Sequence, residues 1–281
     1  MIATMPWTCP SCHDTIQSPY CPHCGERPLR PGELTLRGLV EQALEALTSI
    51  DGRVLRSFRA LITRPGLLTM AFLQGRRVPY IGPVALFLTT NVLFFATESL
   101  TGGTVFSTPL ASHLTTQPWS PLARTLVDGR MATLGTTTAV FAPRFDAAVA
   151  LHARSLILLM ALSFTPLPWL LYRRGRHPFA AHAVFALHLY AYLLLLFCVA
   201  TTLPAINLIH GGVRSTSDVL DHILSIVLLA ACASYLHVAI GRVYGGTPGA
   251  RALRAAGLTV AVAAIVLGYR FVLLLLTLYS V

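Results

Sequence analysis

The sequence predicts an all-α membrane helix bundle of about five transmembrane helices behind a small N-terminal cysteine module, and three observations predict it. Hydrophobic residues make up 54% of the 281 and charged ones only 11%, far from the balance of a soluble domain. Apolar runs of about 20 residues, enough to cross ~30 Å of hydrocarbon, recur along the last two hundred residues. Four of the six cysteines crowd into the first 24 residues.

Residues 1–32 carry that cluster and have no periodic apolar pattern, so they form a module of their own. Cys9-Pro10-Ser11-Cys12 and Cys21-Pro22-His23-Cys24-Gly25 are two Cys-x2-Cys knuckles separated by eight residues. Such a pair brings four thiolates into a tetrahedron that suits zinc, with Zn–S bonds of about 2.3 Å. Proline after the first cysteine and Gly25 after Cys24 shape tight turns whose backbone N–H groups point at sulfur. Iron in a rubredoxin-like site and a redox dithiol use the same residues and are the alternatives. Cys9, Cys12, Cys21 and Cys24 fill all four positions, which leaves His13 and His23 as exposed knuckle residues and no open position for metal catalysis. So few residues cannot bury a core, and the metal supplies the folding free energy. The expected work of such a zinc ribbon is to bind a protein partner. No apolar signal segment precedes it, and its cysteines cluster as ligands, which suits a reducing compartment.

Residues 33–82 read as amphipathic and interfacial helices. Over Leu34–Ser49, Leu36, Leu39, Val40, Ala43, Leu44 and Leu47 share one face, with Arg37, Glu41 and Glu45 opposite. Gly52–Ile62 repeats the pattern with Arg53, Arg56 and Arg59 on its polar side, which fits either the headgroup layer or packing against the bundle. The stretch 64–74 is too short to span and reads as an interfacial helix with Pro65 near its first position.

Residues 83–281 form the bundle, with spans expected near 83–101, 152–172, 180–206, 219–240 and 257–280. Arginine supplies every one of the 21 basic residues. Arg53, Arg56, Arg59, Arg64, Arg76 and Arg77 precede the first span, Arg173, Arg174 and Arg176 join the second to the third, and Arg242, Arg251 and Arg254 join the fourth to the fifth. The other connections are poorer in arginine, so the positive-inside rule puts the N-terminus in the cytoplasm and the C-terminus in the periplasm of a bacterial inner membrane. The net charge of +10 follows the same pattern and lacks the basic stripe with interleaved aromatics that nucleic-acid binding needs. The Thr-rich connection 102–151 is expected on the far side, with an amphipathic helix near Pro121–Thr133 and a second helix beginning near Pro143 and running into the next span.

Ionisable groups at membrane depth mark candidate sites. Glu98 lies toward the end of the first span and Arg270 near the middle of the last, where they can pair. His188 and His237 are the histidines at a depth where two helices could share a metal or haem. Asp218 and Asp221 stand at the start of the fourth span, where carboxylates suit a helix N-terminus. No catalytic motif is present.

One block remains: Asp51, Arg64-Pro65-Gly66, Phe72-Leu73-Gln74-Gly75-Arg76-Arg77 and Tyr80-Ile81-Gly82-Pro83. Following a paired Cys-x2-Cys ribbon and leading into apolar spans, it resembles the bacterial membrane family DUF3667 over roughly residues 9–95. The resemblance implies this architecture and brings no activity with it. Read physically, the block is a membrane-entry element: Arg76 and Arg77 meet lipid phosphates, Tyr80 sits at the aromatic belt and Pro83 opens the first span. Arg64, Arg76, Arg77 and Tyr80 are therefore candidate contacts for an anionic ligand or lipid headgroup.

The expected function is that of a non-enzymatic membrane protein whose ribbon binds a cytoplasmic protein, with the bundle as anchor, scaffold or sensor and membrane lipids as its surroundings. The alternative is a small-solute or ion transporter or channel using Glu98, Arg270 and the intramembrane histidines.

Overall fold

The computed structural model describes residues 6–28, 35, 52–175, 177–209 and 218–281. The amphipathic helix expected over Leu34–Ser49 lies outside them. The N-terminal module is a two-stranded antiparallel hairpin, β1 (Trp7–Thr8) and β2 (Thr15–Ile16), with Trp7 opposite Ile16. Among the described residues, every regular element after it is a helix.

Two short helices precede the first span. In α1 (Arg53–Thr63), Ser57, Ala60 and Leu61 face inward, while Leu55 and Ile62 are exposed beside Arg56 and Arg59. That mixed outer face suits a headgroup layer. Next comes α2 (Leu67–Leu73), which buries Leu68, Thr69, Ala71 and Phe72 within the bundle. Its start differs from the expected one. Gly66, in the left-handed region at φ 79°, is the N-cap, so Pro65 stands before the helix and not in its first turn. The glycine is needed for a second reason. A Cβ there would come within 3.0 Å of the Ala239 backbone, so only the bare Cα lets α2 approach this closely.

Among the described residues, four helices are long and apolar enough to cross a membrane: α3 (Pro83–Thr101), then α9 (Phe179–Ile209), α10 (Asp218–Val243) and α11 (Pro248–Ser280). Taken together, α6 (Thr138–Leu156) and the run of α7 (Leu158–Phe164) and α8 (Pro166–Leu171), bent by 50° at the break, pass the same test, which makes four spans, or five where the bent pair counts as one. It starts at Thr138, ahead of the expected 152–172 and close to the helix start expected near Pro143, but it does not run on continuously, because the chain bends at Ile157. There the Met160 N–H turns back to the Ile157 carbonyl, and Tyr269 donates its hydroxyl to the Ala153 carbonyl at 2.8 Å. The most extensive pairing is between α3 and α9, followed by α10 with α11. At its centre Phe106 meets Phe94, Phe197 and Tyr269 edge-on, with ring centroids 5.4–5.8 Å apart.

The two ends of the bundle differ in character. At the end that carries the short helices, Arg242 donates to the Pro65 carbonyl, Tyr172 stacks on Tyr244 at 4.1 Å, and Arg254 lies 4.9 Å over the Tyr172 ring. At the other end the 102–151 connection folds into a cap of α4 (Leu110–Thr115) and α5 (Ser120–Leu134), the latter close to the expected Pro121–Thr133. Asp146 accepts from the Leu110 N–H at 2.8 Å, Trp119 packs on Phe271 at 5.4 Å, and Arg130 reaches the ring of Tyr279 near the C-terminal end.

His113 of the cap is fully buried, and its Nδ1 accepts from the Trp119 indole at 3.2 Å. Burial, aided by the positive charge of Arg270, lowers its pKa to about 4. Two outcomes follow. Gly66→Ala is expected to cost about 1–2 kcal/mol from the left-handed backbone alone, and more from the contact with Ala239, seen as a lower thermal unfolding temperature in detergent. An unfolded cap takes up a proton at His113 before the folded cap does, so cap stability should fall as pH drops from about 6.5 toward 4 and level off above that range. Trp119 fluorescence with Trp7 and Trp169 replaced by Phe reads this, and His113→Phe should flatten the response.

Candidate metal centre

The ribbon is built from two copies of one turn. The Cys9 N–H donates to the Asp14 carbonyl at 2.9 Å, and the Cys21 N–H to the Glu26 carbonyl at 2.7 Å. The fifth residue of each turn is left-handed: His13 at φ 64° in the first and Gly25 at φ 75° in the second. Glycine adopts this freely; histidine does so at a cost of order 1 kcal/mol. The turns bring the sulfurs together. Cys12 Sγ lies 3.3 Å from Cys21 Sγ and 3.7 Å from Cys24 Sγ, Cys9 Sγ lies 3.5 Å from Cys24 Sγ, and all four are within 4.8 Å of one another. A metal bonded to four sulfurs at about 2.3 Å needs them about 3.8 Å apart, so these thiols can close around an ion. At Cys21, burial pushes the thiol up, but the backbone N–H groups of Cys24 and His23 and the Cys12 thiol outweigh it and bring the pKa down to about 7. The thiols of Cys12 and Cys24 are pushed the other way, Cys12 by its hydrogen bonds to the Cys21 and Cys9 thiols and by burial. His13 and His23 are exposed, with His23 3.8 Å from Asp14.

The ribbon is seated on the membrane-entry block through Glu26, a residue the sequence reading passed over. Its side chain is buried, and Oε2 accepts from Ser11 Oγ at 2.9 Å, from the Arg77 N–H at 3.0 Å and from the Val78 N–H at 3.3 Å. A single carboxylate in a module otherwise defined by cysteines gives no periodic signal, which is why it is invisible in sequence. Between ribbon and block lies a cavity of about 360 Å³, lined from the ribbon by Tyr20, Glu26 and Arg27 and from the block by Arg76, Arg77 and Tyr80. Arg53 of α1 and His188 of α9 also reach it.

The four candidate headgroup contacts divide here. Arg76 and Arg77 line this cavity. Arg64 lines a neighbouring one with Arg56 and Arg59, and Tyr80 belongs to both.

The candidate intramembrane residues take different places. His188 Nδ1 lies 2.9 Å from the Thr69 hydroxyl, a helix-to-helix contact between α9 and α2, and His237 is half-buried on α10. Glu98 and Arg270 form no direct ion pair among the described residues. They meet instead on one peptide group of the loop before α4. Glu98 Oε1 accepts from the Phe106 N–H at 3.4 Å, and Arg270 Nε donates to the Val105 carbonyl at 3.0 Å. Asp218 opens α10.

Residues 51–95, which run from just before α1 into α3, match the family DUF3667, a protein of unknown function. The chain carries a DUF3667 block. The match leaves the cysteine ribbon outside it, so the two are joined here by contact and not by the family pattern. No curated protein and no solved structure matches the chain.

Glu26→Ala leaves two backbone N–H groups of the DUF3667 block and the Ser11 hydroxyl without their acceptor, at about 1–3 kcal/mol for each buried group that water does not reach. Limited trypsin digestion should release the ribbon at least several-fold faster from this variant than from the parent, while the melting of the bundle changes little. His13→Gly, which relieves the left-handed histidine, should make the ribbon more resistant to chelators.

Proposed function

We propose that this is a non-enzymatic, multi-pass protein of the bacterial inner membrane whose cytoplasmic ribbon holds one structural zinc and binds a protein partner, with the bundle as its anchor and scaffold. The observation that carries the reading is the seat of the ribbon. A four-thiol module is held against the membrane-entry block by a buried carboxylate, which fixes whatever docks on the ribbon at the membrane surface. Four sulfurs satisfy a tetrahedral zinc completely, so the ion would stabilise the fold and leave no position for substrate. The ribbon also presents exposed residues, His13 and the His23–Asp14 pair among them, that are available to a partner.

The positive-inside rule supports the orientation, because the arginine-rich connections gather at the ribbon end. A transport reading would need Glu98 and Arg270 along a path. Both are engaged in holding the loop of the cap, and this favours a scaffold.

Purified protein should contain one zinc per chain with four sulfurs at about 2.3 Å by X-ray absorption, and Cys9→Ser with Cys12→Ser should lose it. Affinity purification from native membranes with and without that pair of substitutions tests the partner. A protein retained by the parent and lost by the variant supports the reading; identical retention by both sinks it. Trypsin should cut after Arg37, the first arginine of the sequence not followed by proline, in inverted vesicles and not in intact spheroplasts; the reverse pattern overturns the orientation.

A further inference from the structure

The arginines at the ribbon end of the bundle are not all engaged. Arg242 donates to the Pro65 carbonyl, and Arg254 covers the Tyr172 ring. Arg56, Arg59 and Arg64 are exposed, and among the described residues their guanidinium groups have no hydrogen bond, ion pair or ring contact. All three line one cavity of about 520 Å³, beside Leu67 and Tyr80, and none of its described lining residues is acidic. Three positive charges therefore converge on a recess with no counter-charge among the described residues, an arrangement that attracts an anion. The helix that carries two of them is apolar alongside. Leu55 and Ile62 are 77% and 54% exposed, and with Arg59 they form one stripe of α1, at i, i+4 and i+7, on the side away from the buried Ser57 and Leu61. Water suits arginine and not leucine, hydrocarbon suits leucine and not arginine, and the interface of a bilayer serves both. The height agrees. Pro79 and Tyr80 line the cavity, and the chain enters the first span, α3, at Pro83. Tyrosine at that level matches the aromatic belt of a membrane–water interface.

We infer that α1 lies in the membrane surface and that the cavity of Arg56, Arg59 and Arg64 holds the headgroup phosphate of an anionic phospholipid, with Leu55 and Ile62 set among the acyl chains. One kind of molecule satisfies both parts of the helix face: phosphate for the guanidinium groups and hydrocarbon for the apolar pair. A soluble anion would leave Leu55 and Ile62 in water. The cavity has no lining residue from the ribbon, so the inference stands apart from the metal and from a protein docked on the ribbon.

The test uses the full chain in nanodiscs of mixed phosphatidylcholine and phosphatidylglycerol, with native mass spectrometry reading the lipid retained on the protein. The parent should hold phosphatidylglycerol beyond its share of the bilayer. Each of Arg56→Gln, Arg59→Gln and Arg64→Gln should lower that affinity about fivefold, as one basic side chain does at an anionic surface. Arg173→Gln with Arg174→Gln, which removes exposed arginines outside this cavity, should leave it within about twofold. Leu55→Ser with Ile62→Ser should lower it several-fold. Melting temperature identifies a variant that fails to fold, and raising the salt concentration on the parent, which needs no substitution, should reduce the enrichment. In native membranes a photoreactive residue at position 55 should crosslink phospholipid. No preference for phosphatidylglycerol in the parent, or a loss as large with Arg173→Gln and Arg174→Gln, overturns the site. Retention indifferent to Leu55→Ser with Ile62→Ser, which marks an anion site without inserted lipid, overturns it as well, and so does a protein crosslinked at position 55 in place of lipid.

Discussion

Hydrocarbon offers no hydrogen-bond partners, and most of this protein answers to that constraint. Every backbone polar group at membrane depth has to be satisfied from within the chain, which leaves helices as the building material. Polar side chains within the helices follow the same rule. Thr89, Thr90, Thr97, Thr201, Thr202 and Thr259 return their hydroxyls to carbonyls three or four residues back. Glu98 and Arg270 take the constraint further. By gripping the N–H and the carbonyl of one peptide group, they satisfy a non-helical stretch of backbone and tie α3 and α11 to the base of the cap.

At the opposite end the coupling runs through Glu26. Its carbonyl closes the second knuckle by accepting from Cys21, while its carboxylate holds the block. The same residue thus belongs to the metal turn and to the membrane joint. A metal on the four thiols would brace the turn that aims Glu26 and the wall that carries Arg27. Of thiols, seat and cavity, only the first is suggested by a motif.

What could be read from the amino acids follows the range of the interaction. The cysteine knuckles act over four residues and the spans over about twenty, so spacing and hydropathy were enough for both. The α5 helix was visible for the same reason. Where the reading went astray, a distant neighbour made the decision. Pro65 looked like a helix opener, but the close approach of Ala239 makes Gly66 the cap. The helix expected to run from near Pro143 into the second span does begin early, at Thr138 against the cap, but it is not continuous: it bends just beyond the Ala153 carbonyl that Tyr269 captures.

The site divides in the same way. The metal ligands, the membrane character and the arginines of the block were fixed by local chemistry: thiols at set spacings, apolar length and charge beside it. Tertiary structure alone decided that Glu26 is the joint, that Arg27 and Arg53 join Arg76 and Arg77 around one space, and that Arg64 faces another. It also gave His188 to Thr69, and gave Glu98 and Arg270 to a shared peptide group. A lone polar residue has many partners compatible with its sequence position, and only packing brings one of them within 3 Å or so.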